Sequence, residues 1–131
     1  MNSPVVLDSS ALVAIALGEK RGERAKRVIR EAPGQCFIHA VNAFEVFVVL
    51  ARNEVSQADA WRAVSFGGVL VVDEIPEEMT LRAAALKIAH EHLSLGDCHC
   101  VAFAEEMGGC LLTTDERLAS VSTSINMLHL M

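Results

Sequence analysis

A chain of 131 residues, 52% of them apolar, can bury one sizeable core, and one domain is expected over residues 1–131. A net charge of -6 argues against a general nucleic-acid binder, and with no Tyr present any stacking on bases would fall to Phe or Trp61. The longest unbroken apolar runs, Ala11 to Leu17 and Val46 to Ala51, fall far short of the roughly 20 residues a membrane span needs, and no Lys or Arg precedes the first; a cytoplasmic protein is expected.

Taken in chain order, Pro4-Val5-Val6-Leu7 reads as a short buried strand. Ser9 or Ser10 then caps a helix to about Leu17, which Gly18 ends. Lys20 to Ala32 forms a second helix with the apolar stripe Ala25, Val28, Ile29 and Ala32, stopped by Pro33-Gly34. Cys36 to His39 is the second strand. Asn42-Ala43-Phe44-Glu45 has capping-box spacing and opens a helix to about Asn53. Ser56 caps another, through Phe66. Val69 to Val72 is a third buried strand, and Pro76 starts a long helix reaching about His92. Asp97 to Met107 is a helix closed by Gly108-Gly109. Cys110 to Thr113 is a strand, Asp115 to Ser120 a short helix, and Ile125 to Leu128 the last strand.

Continuously apolar strands alternating with helices imply a parallel sheet covered on both faces, an α/β fold. Val41 to Phe66 holds two successive helices with no strand between. That αα hairpin would project from the sheet edge as a docking element, with Val46, Val48, Val49, Leu50, Trp61 and Phe66 available for a partner or for the core.

Cys36, Cys98, Cys100 and Cys110 all lie in or beside apolar segments and lack the paired spacing of a zinc site, so they read as buried free thiols. Lys20, Arg21, Arg24, Lys26, Arg27 and Arg30 are six of the chain's 11 cations. Clustered on one helix, they serve either a nucleic-acid backbone or a solvated amphipathic face. Among the histidines, His90-Glu91-His92 lacks zinc-helix spacing, and His39, at a strand end, is the one near the expected site.

Four acids fall where strands hand over to helices: Asp8, Glu45, Asp97 and Asp115. Each singly fits a helix N-terminus, where a carboxylate accepts backbone hydrogen bonds and complements the dipole. Jointly they share the edge of a parallel sheet where ligands collect. Four carboxylates gathered there cannot all stay ionised without a cation, most naturally a divalent one with oxygen ligands.

The segment Val5-Val6-Leu7-Asp8-Ser9-Ser10-Ala11-Leu12-Val13-Ala14-Ile15 resembles the opening motif of PIN-domain nucleases. Ala43-Phe44-Glu45-Val46 is similar to the family's second-acid helix, Leu95-Gly96-Asp97-Cys98-His99-Cys100-Val101-Ala102-Phe103-Ala104 to its third-acid helix, and Leu111-Leu112-Thr113-Thr114-Asp115 to its strand-end T-x-D element. Size and pattern look most like the VapC toxins of toxin-antitoxin pairs. The resemblance implies a three-layer α/β/α sandwich with about five parallel strands in the order 3-2-1-4-5. It also implies Mg²⁺- or Mn²⁺-dependent cleavage of RNA phosphodiesters, and a small VapB-like antitoxin that plugs the site.

On that reading Asp8 and Asp97 are the principal metal ligands. Glu45 ligates directly or positions the attacking water, and Asp115 completes the site through water or a second metal. Ser9, Ser10 and Thr113 orient the acids, and Lys20, Arg24 and Arg27 hold RNA. The apolar content also leaves room for a homodimer. A phospho-acceptor domain built on Asp73 fails, because the first strand lacks an acidic pair and Met127 to Met131 holds no Lys. A D-x-D phosphatase fails because Ser10 occupies the second position. The remaining alternative is a non-catalytic module that keeps the fold to bind RNA or protein.

Overall fold

Val5, Val6 and Leu7 are all buried, and the alternation of their side chains assigns each to one of two cores. The computed structural model describes residues 3–121 and 123–131. Its elements run β1 (Val5–Leu7), α1 (Ser9–Ala16), α2 (Lys20–Glu31), β2 (Cys36–His39), α3 (Ala40–Arg52), α4 (Gln57–Val64), a 3-10 turn (Phe66–Gly68), β3 (Leu70–Val72), α5 (Glu77–Ala89), α6 (Leu95–Met107), β4 (Cys110–Thr113), α7 (Glu116–Ala119) and β5 (Met127–His129). The five strands form one parallel sheet in the order β3-β2-β1-β4-β5, as expected.

Val5 and Leu7 pack with Leu12, Ala25, Ile29, Val46, Leu50 and Val64, so α1 to α4 cover one face. Val6 packs with Met79, Leu86, Val101, Phe103 and Leu118 on the other, beneath α5, α6 and α7. Three layers result, with β1 buried at the centre. Helices α1 and α2 cross closely at Gly22, where a Cβ would run into the backbone carbonyl of Ala14. Among the described residues no helix is long and apolar enough to cross a membrane.

Several boundaries differ from those expected of the sequence, each for a local reason. Asp8 itself caps α1, its side chain accepting from Ala11 N, where Ser9 or Ser10 was expected. Helix α3 starts at Ala40 with no loop after β2. His39 Nδ1 accepts from Val41 N as its cap, which puts Asn42 at the third helical position rather than at the N-cap. Helix α5 ends at Ala89, short of His92, because Leu93 turns into the core, 1% exposed, and Lys87 Nζ donates to the carbonyls of Glu91 and Leu93. Strand β3 is a half-exposed edge rather than a buried strand: Leu70 is 52% and Val71 43% exposed. The last strand lies at Met127–His129, two residues on from the expected start.

The α3–α4 hairpin is present, but its inner residues are not a free docking face. Val46 and Leu50 are fully buried against α1, while Trp61, edge-on to Phe47, stays exposed.

Candidate active site

The chain runs from β1 outward to β2 and β3 on one side and to β4 and β5 on the other, so the order reverses between β1 and β4. A crevice beyond the carboxyl ends of the strands opens at such a switch point. Asp8 follows β1 there, and Thr113 ends β4 beside it.

Asp8 is 4% exposed and accepts three hydrogen bonds. Ser10 Oγ donates to Oδ1 at 2.6 Å, Ala11 N to Oδ1 at 3.2 Å, and Thr113 Oγ1 to Oδ2 at 2.6 Å. The two hydroxyls are oriented from behind. Thr114 N donates to Ser10 Oγ, and Asp115 N to Thr113 Oγ1, each at 2.9 Å. Backbone N–H groups of the β4–α7 junction thus make both hydroxyls acceptors, and each turns its proton to Asp8. Burial pushes the Asp8 carboxyl up from 3.8 to about 6. The bonds from Ser10, Thr113 and Ala11 restrain that rise, and the charge of Asp97 adds to it.

Glu45 stands half-buried one turn inside α3. Asn42 Nδ2 donates to its Oε1 at 2.9 Å and to Gly96 O, on α6, at 3.1 Å. Burial raises the pKa of Glu45, the Asn42 bond lowers it, and Asp97 raises it again. Gly96 makes this approach possible: a Cβ there would overlap both carboxylate oxygens. Asp97 does not begin its helix, as the sequence suggested, but completes a capping box at the third position. Ser94 N donates to Asp97 Oδ2 at 3.1 Å, and Asp97 N to Ser94 Oγ at 3.0 Å. Beneath them Cys100 is fully buried and donates to Leu7 O at 3.8 Å. Burial first, then the charges of Asp8, Asp97 and Glu45, push its thiol well above the usual range.

The Glu45 carboxylate thus lies against Gly96, the residue before Asp97, and the charge of Asp97 reaches both Glu45 and Asp8. Asp115 joins through its backbone, while its carboxylate caps α7, accepting from Arg117 N at 2.9 Å, with Arg117 Nε at 3.6 Å. Ser10 and Thr113 hydrogen-bond to Asp8, whereas among the described residues Ser9 supplies no side-chain hydrogen bond to the network. Lys20, Arg24 and Arg27 are exposed along α2. Lys26 and Arg30 lie over the Phe66 ring, and Arg21 Nη1 reaches Thr114 O at 3.5 Å, bringing one cation to the β4–α7 junction.

His39 is structural. Its Nδ1 accepts from Val41 N, so Nε2 carries the proton and donates to Glu74 O at 2.9 Å. All four cysteines are free, as expected. Asn42 and Gly96 belong to the site, and the sequence alone marks neither as such. The signal for Asn42 was its spacing three residues before Glu45, which fits a side-chain pair inside a helix as well as a capping box.

Hard carboxylate oxygens, with the charge of Asp97 adding to the proton affinity of Asp8 and Glu45, suit a divalent cation of the Mg²⁺ type. Among the described residues no group of three acidic, histidine or cysteine side chains is preassembled around one point. Mg²⁺ does not require such a cage, since it binds through one or two carboxylates and keeps several waters. The buried Asn42 Oδ1 lacks a donor, which also fits a site that gains hydrated contents.

The family model of the PIN domain matches residues 5–123. The chain belongs to the PIN domain family. Solved structures agree on the fold. VapC20 of Mycobacterium tuberculosis, described as a Sarcin-Ricin loop cleaving toxin, is similar with a TM-score of 0.73 at 18% identity, over 93% of this chain and 98% of that one. A toxin-antitoxin complex from Klebsiella pneumoniae gives a TM-score of 0.68 at 19% identity, over 93% and 98%. The PAE2754 protein of Pyrobaculum aerophilum gives 0.71 at 17% identity, over 98% and 91%. No curated protein matches the sequence. In this PIN domain Asp8 and Thr113 meet at the switch point between β1 and β4.

Proposed function

We propose that this PIN domain is a divalent-metal-dependent endoribonuclease of the VapC toxin type, taking Mg²⁺ or Mn²⁺ and cleaving RNA phosphodiesters. The observation that carries the reading is the buried Asp8 carboxylate, with the charge of Asp97 acting on it and on Glu45. Asp8 is buried, yet three donors aim at its carboxylate and favour its charged form. A structural cap has no need of that burial, because a solvated Asp caps a helix at lower cost.

Asp8 and Asp97 are the principal ligands in this reading, with Glu45 ligating or orienting the attacking water. Bound there, the cation would stabilise charge on the scissile phosphate and lower the pKa of the attacking water. The chain supplies the rest. Ser10 and Thr113 hold Asp8 ionised and aimed. Ser94 keeps one oxygen of Asp97 on the α6 N-terminus. Asp115 acts from the rim, through water or a second metal, once its carboxylate leaves the α7 cap. Lys20, Arg24 and Arg27, with Arg21 nearest the junction, hold the RNA backbone.

A VapB-like antitoxin is the expected partner, and the similarity to a chain of the Klebsiella pneumoniae toxin-antitoxin complex supports it. Exposed Trp61 with Phe47, Ala51, Val55 and Ala60 lines an apolar cleft of about 280 Å³ on the α3–α4 hairpin, which suits an apolar antitoxin side chain. A second cleft of about 330 Å³ between α5 and α6, edged by Ile88 and Leu95, suits a homodimer.

The test is incubation with a total RNA pool and Mg²⁺, with cut sites mapped and Asp8→Asn as control. Discrete cuts from wild type alone support the nuclease. Intact RNA bound by a folded wild type would leave the non-catalytic module.

A further inference from the structure

Asn42 is 1% exposed, the third residue of α3 in its first turn. Its Nδ2 uses both protons, one on Glu45 Oε1 and one on Gly96 O. The reversed amide would set Oδ1 against a carboxylate and a carbonyl, two acceptors, so the neighbours fix its orientation. Oδ1 is then left as a buried side-chain polar atom with no partner, the one such atom among the described residues. An orphaned buried acceptor is costly, and buried polar atoms are otherwise paired. The arrangement joins α3, which carries Glu45, to the first turn of α6, which carries Asp97.

We propose that Asn42 is a positioning residue that holds the Glu45 carboxylate against the α6 N-terminus for divalent-cation binding, leaving Oδ1 as an acceptor for water that accompanies the cation. The proposal rests on the metal-dependent reading above. Glu45 is the group through which Asn42 acts, since Asn42 meets Glu45 directly and touches neither Asp8 nor Asp97 among the hydrogen bonds of the described residues.

The test is a double-mutant cycle read by Mn²⁺ affinity in calorimetry, without RNA. Loss of a residue that orients a ligand weakens metal binding by roughly 10–100-fold. Asn42→Ala is expected to do so in the native background, and to change affinity less than about twofold in a Glu45→Gln background. Asn42→Ser keeps a polar group but cannot span to Gly96; it replaces the Ala variant if that does not fold, with the same expected loss. Equal losses in both backgrounds, or wild-type affinity in Asn42→Ala, would overturn the proposal while leaving the nuclease reading intact. A wild type that neither binds Mn²⁺ nor cuts RNA would remove that reading, and the Asn42 proposal with it.

Discussion

Thr113 Oγ1 donates to Asp8 Oδ2 at 2.6 Å across 105 residues of sequence, and the same hydroxyl accepts from Asp115 N at 2.9 Å. One buried side chain thereby ties the ends of β1 and β4 together and sets the direction of its own proton. Thr113→Val keeps the shape and removes both bonds. The Asp8 carboxyl loses a partner that holds its pKa down, so that pKa rises further. The acidic limb of the pH–activity profile should therefore move to higher pH. Stability should fall by about 1–3 kcal/mol, the range for a buried group left unsatisfied, as read by urea denaturation. An unmoved acidic limb would detach Thr113 from Asp8.

The raised pKa of Asp8 costs stability at neutral pH. Its folded value of about 6 lies above the ordinary 3.8, so the native state holds the proton more tightly than the unfolded chain. The penalty is absent below about pH 4, accrues through the interval, and is complete above pH 6, where it reaches about 3 kcal/mol. Asp8→Asn removes a buried charge and keeps the acceptor for Ser10 and Ala11. In EDTA it should be more stable than wild type at pH 7.5, with the gap closing toward pH 4. Chemical denaturation at several pH values checks this, and a variant less stable than wild type at pH 7.5 would contradict it.

Gly96→Ala separates function from fold. The three atoms nearest the added Cβ all belong to the carboxylate end of Glu45, a flexible group that can swing aside. Ala is favoured over Gly in helices by roughly 0.5–1 kcal/mol, so the thermal midpoint should hold or rise. RNA cleavage should fall by about tenfold or more, because Glu45 is displaced from Asp97. Full activity with an unchanged midpoint would show that the position of Glu45 is not critical.

The basic helix predicts a salt dependence. Reversing the charge of Arg24 and Arg27 should weaken RNA binding and flatten the slope of log affinity against log salt, by roughly 0.7 for each single-strand phosphate that is no longer neutralised. An unchanged slope would make α2 a solvated face.

Much of this architecture is legible from the sequence because the strands are short, apolar and separated by strong helix patterns. The acids at Asp8 and Asp97 stand out because each directly follows a strand or a glycine. Other parts needed the third dimension. Asn42 reads as a cap because a strand is assumed to need a loop before its helix; here β2 runs straight into α3, and His39 takes the cap. Leu70 and Val71 read as buried because apolar runs do not reveal which strand lies at a sheet edge. The reach of Asn42 to Gly96, 54 residues away, has no local signature, and neither does the turn of Asp115 toward its own helix.

A metal-dependent nuclease centred on Asp8 is tested most directly by RNA cleavage with wild type and Asp8→Asn, in Mg²⁺ and in EDTA, both proteins shown folded by circular dichroism. The expected result is discrete cuts by wild type with Mg²⁺ only, and none by Asp8→Asn in either condition. Equal cutting by the two proteins, or cutting by wild type that survives EDTA, would contradict it.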